Sequence, residues 1–318
     1  MPSIITITFS PCIDKSASVN KLIPEKKLRC SSNKFEPGGG GINVARAIKK
    51  LGEEAIAIYP SGGYTGKYFD KLISDESISS IIIETGSETR ENIIIFEEST
   101  NQQYRFGMPA SALKENEWQQ ILTTIEDSND ISFIVASGSL PPGVPKDIFA
   151  RIARIAKKKN AKFIVDTSGE ALKYAADEGV YLLKPNLGEL SSLVNKDYLN
   201  NTEMIEAARQ IINRGSCEVV VVSIGAGGAI LVTKNIEKKF VPPPVERKST
   251  VGAGDSMVAG IVLQLSKGKS LEESVQYGVA CGTAATLNAG TELCRLDDVE
   301  KLNKIITIEK IFPHMEML

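Results

Sequence analysis

Asp255 stands directly behind Gly252-Ala253-Gly254, where the run Ser249-Thr250-Val251 gives way to the apolar helical pattern Met257-Val258-Ala259-Gly260-Ile261-Val262. Glycines let the backbone approach a ligand closely, and the first N–H groups of a helix have no partner within it, so this turn is suited to an anion. A carboxylate in the first helical turn is favoured by the helix dipole and sits where it can take the proton of an attacking hydroxyl. Base and anion hole together are what phosphoryl transfer requires. The plainer reading of the same residues is a Gly-rich turn with Asp255 as an ordinary helix N-cap.

Other residues could share that chemistry. Asp14 follows the apolar run Ile4-Ile5-Thr6-Ile7-Thr8-Phe9 and Pro11, at a strand end, where a carboxylate can grip sugar hydroxyls or simply remain in a solvated turn. Asn43 lies just inside a helix that opens after Pro37-Gly38-Gly39-Gly40-Gly41, offering an amide donor and acceptor to a small polar ligand. That loop lacks the G-x-G-x-x-G spacing and follows polar strands, which weighs against a dinucleotide. Asp166, Asn186 and Glu189 supply oxygens that could hold a hydrated Mg²⁺, although Glu189 also reads as a first-turn helix acid.

Composition narrows the chemistry further. The only histidine among 318 residues is His314, so mechanisms that need a catalytic imidazole, such as Ser-His-Asp and Cys-His hydrolysis, H-E-x-x-H proteolysis and zinc-dependent deamination, lose their essential group. Net charge is −2 with both signs interspersed, which argues against nucleic acid or anionic lipid as a partner. Cys12, Cys30, Cys217, Cys281 and Cys294 are scattered without C-x-x-C spacing, as expected of reduced thiols. No charged leader precedes an apolar core, and no apolar run approaches the ~20 residues of a membrane helix, so a soluble, cytoplasmic protein is expected.

The elements that must position these residues alternate. Phe133 to Ala136, Phe163 to Val165, Tyr181 to Leu183 and Val219 to Val222 read as buried strands separated by helical stretches, the pattern of a mostly parallel sheet covered on both faces. Ligands of such sheets gather at the carboxyl ends of strands, where Ser137-Gly138-Ser139, Asp166, Lys184-Pro185-Asn186 and Ser223-Ile224-Gly225 all fall. The last of these continues through Gly228 into Ala229 to Val232, which predicts a hairpin. Polar-alternating stretches at Ser18 to Asn20 and Leu28 to Ser31, and a hairpin of Arg90 to Glu97 with Gln102 to Phe106, form a separate small sheet. The expected division is an α/β core of residues 1–12, 37–87 and 107–318 with a discontinuous β lid of residues 13–36 and 88–106.

The segments Phe35 to Ala47, Ser137 to Gly143, Lys184-Pro185-Asn186 with Glu189, and Thr250 to Ser256 resemble the diagnostic motifs of the pfkB (ribokinase-type) sugar kinases, and within them the pfkB-type 6-phosphofructokinase branch. The resemblance covers nearly the whole chain and implies a ribokinase-like three-layer α/β sandwich with a small β-sheet lid that often makes a homodimer contact. It implies ATP-dependent phosphorylation of the 1-hydroxyl of fructose 6-phosphate, with Asp255 as base and Gly252, Ala253 and Gly254 as anion hole. Asp14, Gly39, Asn43, Arg90 and Ser139 would line the sugar site, with Lys27 and Arg29 near its phosphate. Lys184, Asn186, Ser223, Gly225, Gly228 and Thr283 would border ATP, with Asn186, Glu189 and Asp166 serving Mg²⁺. Ser249, Val251, Ala285, Asn288 and Gly290 would form a monovalent-cation site suited to K⁺. Relatives acting on tagatose 6-phosphate or fructose 1-phosphate resemble Gly-Gly-Lys-Gly at the second glycine loop; this chain has Gly40 in place of that lysine. Those two activities are the alternatives, with a non-catalytic sugar-phosphate or nucleotide sensor behind them.

Overall fold

The computed structural model describes residues 3–31, 33–288 and 290–310; His314 lies outside them. The first part of the chain forms β1 (Ser3–Ile7), β2 (Cys12–Val19), β3 (Lys34–Gly38), α1 (Gly40–Lys50), β4 (Ile56–Gly62), α2 (Gly63–Asp75) and β5 (Ser80–Thr85), then the hairpin β6 (Arg90–Glu97) and β7 (Gln102–Phe106). There follow α3 (Glu115–Asp127), β8 (Ile131–Ser137), α4 (Ile148–Lys158), β9 (Lys162–Asp166), α5 (Gly169–Glu178), β10 (Val180–Leu183), α6 (Leu187–Leu193), α7 (Asn201–Asn213) and β11 (Cys217–Ser223). The last part contributes β12 (Ala229–Val232), β13 (Glu237–Val241), α8 (Ala253–Ser266), α9 (Leu271–Thr286), α10 (Leu296–Asn303) and β14 (Thr307–Lys310).

Among the described residues, ten strands form one sheet in the order β14-β13-β12-β11-β10-β9-β8-β1-β4-β5. From β11 across to β5 neighbours are parallel, while β12, β13 and β14 are added antiparallel. The central strands are apolar on both sides: Val219 and Val221 pack with α1, α8 and α9, while Val220 and Val222 pack with α4, α5 and α7. This is the period-two consequence of a sheet covered on both faces, and it gives the three expected layers. Chain order reverses between β1 and β8, so the crevice above their carboxyl ends is the switch point where such sheets bind ligands. The parallel sheet, the β6–β7 hairpin and the β11–β12 hairpin match the sequence reading.

The smaller sheet has the order β3-β2-β6-β7, with β2 and β6 parallel. One expectation differs here. Leu28 to Ser31 is not a strand; the strand after β2 is β3, which contains Pro37. β6 runs along the whole of β2, but β3 pairs with it from Cys12 to Ser16; beyond that, Ser31 meets Ser18, its N–H donating to Ser18 O at 2.9 Å and its Oγ accepting from Ser18 N at 3.1 Å, without forming a strand. Proline, lacking an N–H, is tolerated on β3 because that strand is the sheet's edge.

Helix α8 is buried from Ser256 to Leu263. Burial of Val258, Ile261, Val262 and Leu263 stabilises its seat by roughly 1.5–3 kcal/mol per side chain, so its first turn stands on a rigid base. No helix among the described residues is long and apolar enough to cross a membrane.

Candidate active site

The turn before α8 requires a left-handed residue, and Gly252 supplies it with φ 72° as the N-cap. Ser256 N bonds back to Gly252 O at 2.8 Å, which closes the turn and places Asp255 above β8 and β9. Asn43 Nδ2 donates to Asp255 Oδ2 at 2.9 Å, and Ser137 Oγ donates to Asp255 Oδ1 at 3.0 Å. Removal from water, reinforced by the charge of Asp166, lifts the Asp255 carboxyl to about 6, against the pull of the Asn43 and Ser137 hydrogen bonds and of Lys184. A carboxylate so placed is ionised at neutral pH yet basic enough to accept a hydroxyl proton.

Helix α1 begins at the same place. Thr8 Oγ1, at the end of β1, accepts from Ile42 N at 2.8 Å, and Asn43 N bonds Gly39 O at 2.8 Å. A Cβ built on Gly40 would overlap Ser137 Oγ and lie 2.7 Å from Gly138 N, so only glycine lets the helix press against the end of β8. That contact is what brings Asn43 and Ser137 to one carboxylate.

The small sheet supplies a second group of polar side chains. The β2–β6 register sets Cys12 beside Arg90 and Asp14 beside Asn92. Asp14 is buried, accepting from Asn92 Nδ2 at 2.9 Å and from the Cys12 thiol at 3.4 Å, and loss of hydration raises its carboxyl. It lies within β2, where the sequence reading had it at a strand end. Arg90 spans from the sheet to the core, donating to Met108 O at 3.2 Å and Ser10 O at 3.3 Å, while its buried Nε has no partner. The inner face continues past Ser16 and Ser18 into a cavity of about 540 Å³ that Lys34, Arg247 and Lys248 also line. Ser139 is exposed just beyond β8. Lys27 and Arg29 are exposed between β2 and β3, and no hydrogen bond or ion pair joins them to these residues among those described.

On the other side of Asp255, Lys184 follows β10 and pairs with Asp166 at 3.1 Å. Burial would strip the Lys184 proton, but the Asp166 carboxylate outweighs it and holds the ammonium above its usual range. A Cβ built on Gly254 would lie 3.5 Å from Lys184 Nζ, so the glycine turn and this cation face the same space. Asn186 and Glu189 cap α6 reciprocally: Glu189 N donates to Asn186 Oδ1 at 2.9 Å and Asn186 N to Glu189 Oε2 at 2.8 Å. Glu189 is thus the helix-cap acid of the plainer reading, and it also stands within the field of Asp166 and Lys184; burial is the first cause of its raised carboxyl. Ser223 bridges Asn186 across the strand ends, Gly225 is exposed in the following turn, and Gly228 packs against Phe240 O. Thr283 bonds Val279 O within α9 at 2.8 Å.

Beside them, the segments after β13 and after α9 meet. Ser249 Oγ donates to Gly290 O at 2.9 Å and accepts from Val251 N at 3.2 Å, while Asn288 N bonds Ala285 O at 3.2 Å. Among the described residues no group of three or more His, Cys, Asp or Glu side chains is arranged to hold a metal. A Mg²⁺ here would be carried by one or two carboxylates together with phosphate oxygens and water, a mode that Asp166 and Glu189 fit.

The sequence reading placed Ser137 at the carboxyl end of its strand without giving it a role, and did not single out Thr8, Asn92 or Arg46 as site residues. Ser137 was recoverable, being the last residue of its strand; Asn92 becomes visible only once β2 and β6 are placed in register.

Residues 6–298 match the model of the pfkB family carbohydrate kinases. The ATP-dependent 6-phosphofructokinase isozyme 2 of Escherichia coli (strain K12) is 45% identical over 303 residues, covering 95% of this chain and 98% of that protein. The Mycobacterium tuberculosis (strain H37Rv) protein of the same name is 42% identical over 301 residues, covering 94% and 88%. The solved structure of Escherichia coli phosphofructokinase-2 in complex with potassium superposes with a TM-score of 0.91 at 45% identity, covering 96% of this chain and 99% of that one. The chain belongs to the pfkB family of carbohydrate kinases.

Proposed function

We propose that this kinase transfers the γ-phosphoryl group of ATP to the 1-hydroxyl of fructose 6-phosphate, with Asp255 as general base. The observation that carries the reading is the surroundings of Asp255: in the first turn of α8 its charge acts on Cys12, whose thiol bonds Asp14, and on Lys184, which pairs with Asp166. Asn43 and Ser137 each occupy one of its oxygens, leaving the remaining lone pairs for the acceptor hydroxyl. The hydroxyl oxygen forms the new bond to phosphorus as its proton passes to Asp255, and the bond to the bridging oxygen of ADP breaks. Backbone N–H groups of the Gly252-Ala253-Gly254 turn, with Lys184, stabilise the charge on the transferring group. Mg²⁺, when bound, neutralises phosphate charge, and Asp166 and Glu189 are the residues to hold it.

Arg90, with its unpartnered Nε–H, and the exposed Lys27 and Arg29 supply charge for the 6-phosphate. Gly40 leaves this loop without an ammonium, and a Cβ there would overlap Ser137 Oγ, so the loop meets the sugar through backbone, which favours fructose 6-phosphate over tagatose 6-phosphate and fructose 1-phosphate. A coupled ADP-release assay across the three sugar phosphates tests this. The expected preference in kcat/KM is at least ~10-fold for fructose 6-phosphate, because a misplaced hydroxyl that strands a site group costs more than ~1.4 kcal/mol. Preference for either other sugar would replace the substrate assignment.

One cross-strand row of the lid runs Phe35, Lys15, Ile93 and Phe106; Phe35 already packs edge-to-face on Tyr68 of α2, whereas Ile93 and Phe106 are 38% and 49% exposed. An apolar face of this kind is covered most simply by a second lid in a two-fold homodimer. Sedimentation at micromolar concentration should give a dimer; a fully active monomer would contradict it. K⁺ is assigned to the Ser249, Val251, Ala285, Asn288 and Gly290 backbone, so replacing K⁺ by tetramethylammonium should lower activity. Equal rates in the two salts would remove the ion from the account.

A further inference from the structure

Arg46 is fully buried on α1, and the chemistry above makes no use of it. Its Nε and Nη2 hold Glu76 at 2.8 and 2.6 Å, and Glu36 lies 3.6 Å from Nη2. Two carboxylates already satisfy the charge. Nη1 nevertheless reaches Pro37 O at 2.9 Å, Thr291 O at 3.2 Å and Asn43 Oδ1 at 3.5 Å. The last contact fixes which way the Asn43 amide faces. With its oxygen on the guanidinium, its NH₂ must point at Asp255; turned over, it would set oxygen against carboxylate and NH₂ against guanidinium. The same guanidinium is tied through Pro37 to β3 of the small sheet. Glu36 extends the tie, accepting from Thr291 N at 3.3 Å and Thr291 Oγ1 at 2.9 Å.

We propose that Arg46 is a positioning residue for phosphoryl transfer, locking the Asn43 amide so that it holds Asp255 in attacking orientation and keeping the lid strand β3 in register with that contact. The proposal rests on the reading of Asp255 as the base. The other groups facing Asp255 are Asp166, Lys184, Ser137 and the Cys12 thiol, and those facing Arg46 are Glu36, Glu76 and Asp14; the variants below leave all of them in place.

Arg46→Lys keeps a cation between the two carboxylates but cannot present the fork that reaches Asn43, Pro37 and Thr291 together. In the full-length protein it should lower kcat by about 5- to 20-fold, as misoriented catalytic groups do, with KM for ATP changed less than ~2-fold. The acid limb of kcat should move upward in pH, because Asp255 loses a fixed donor. In an Asn43→Ala background the same substitution should add less than ~2-fold, since coupled residues are non-additive. Arg46→Met should exaggerate each effect; if it fails to fold, Arg46→Lys carries the test alone. A lowered melting temperature with normal kcat and an unshifted acid limb, or losses that multiply with Asn43→Ala, would overturn the proposal. Asp255→Asn assayed in parallel separates the two claims. Near-normal turnover there defeats the base assignment and this proposal with it, whereas an inactive Asp255→Asn with a failed Arg46 cycle removes only the role of Arg46.

Discussion

Asn43 and Asp255 lie 212 positions apart in the chain and meet in a 2.9 Å hydrogen bond that joins the first turns of two helices, α1 and α8. Each helix begins at glycine, Gly39 before α1 and Gly252 before α8, and each is seated on the same face of the large sheet. The bond therefore sums up the architecture: two helix N-termini converge on one crevice, and a carboxylate from one is oriented by an amide from the other.

Ser137 makes the matching bond to the other oxygen, so Ser137→Ala removes a donor that stabilises the ionised form. The Asp255 carboxyl, already at about 6, should rise further. A base works only when ionised, so the acid limb of the kcat profile should shift to higher pH by roughly half a unit to one unit, with a smaller loss above pH 8. A pH profile of the variant superimposable on that of the parent would show that this hydroxyl does not act on the base.

Asp255 should also cost stability. Its carboxyl is raised from 3.8 to about 6 in the folded chain, so the native state binds the proton more tightly than the unfolded state. Stability on this account increases as pH falls from about 6 towards 4, and the ionised group destabilises the fold at neutral pH by up to about 3 kcal/mol. Asp255→Asn, which cannot ionise, should raise the unfolding free energy at pH 7.5 by about 1–3 kcal/mol, with the gain shrinking towards pH 4. Denaturant melts of parent and variant without substrates check this; a variant less stable at pH 7.5 contradicts it.

Much of the fold was legible because its central strands are short apolar runs at βαβ spacing, which admit few arrangements other than a covered parallel sheet. Asp255 with its glycines was legible for a similarly local reason, since helix start, turn and acid are contiguous. Leu28 to Ser31 misled because alternation shows that a segment can pair but not how long an edge is open to it; β3 holds Cys12 to Ser16 of β2, and the segment meets the short remainder at Ser18 without becoming a strand. Arg46 was hidden for another reason. A charged residue on an amphipathic helix reads as solvated, and only the tertiary arrangement reveals Glu36, Glu76 and three carbonyl acceptors around it.

Glu189 forms a reciprocal cap with Asn186 and also stands in the field of Asp166 and Lys184. Glu189→Gln retains a carbonyl oxygen for the cap but removes the anionic charge. The Mg²⁺ concentration for half-maximal activity should rise about 10-fold or more, while the melting temperature changes little. An unchanged Mg²⁺ titration would leave Glu189 as a helix cap and nothing else.

The central claim is that Asp255 takes the proton of the acceptor hydroxyl, and the turnover of Asp255→Asn measured alongside its fructose 6-phosphate affinity tests it most directly. The account predicts a fall in kcat of roughly 10²–10⁴ with sugar binding largely retained, as removal of a general base requires. Turnover within a few-fold of the parent, at any pH between about 6 and 9, would contradict it.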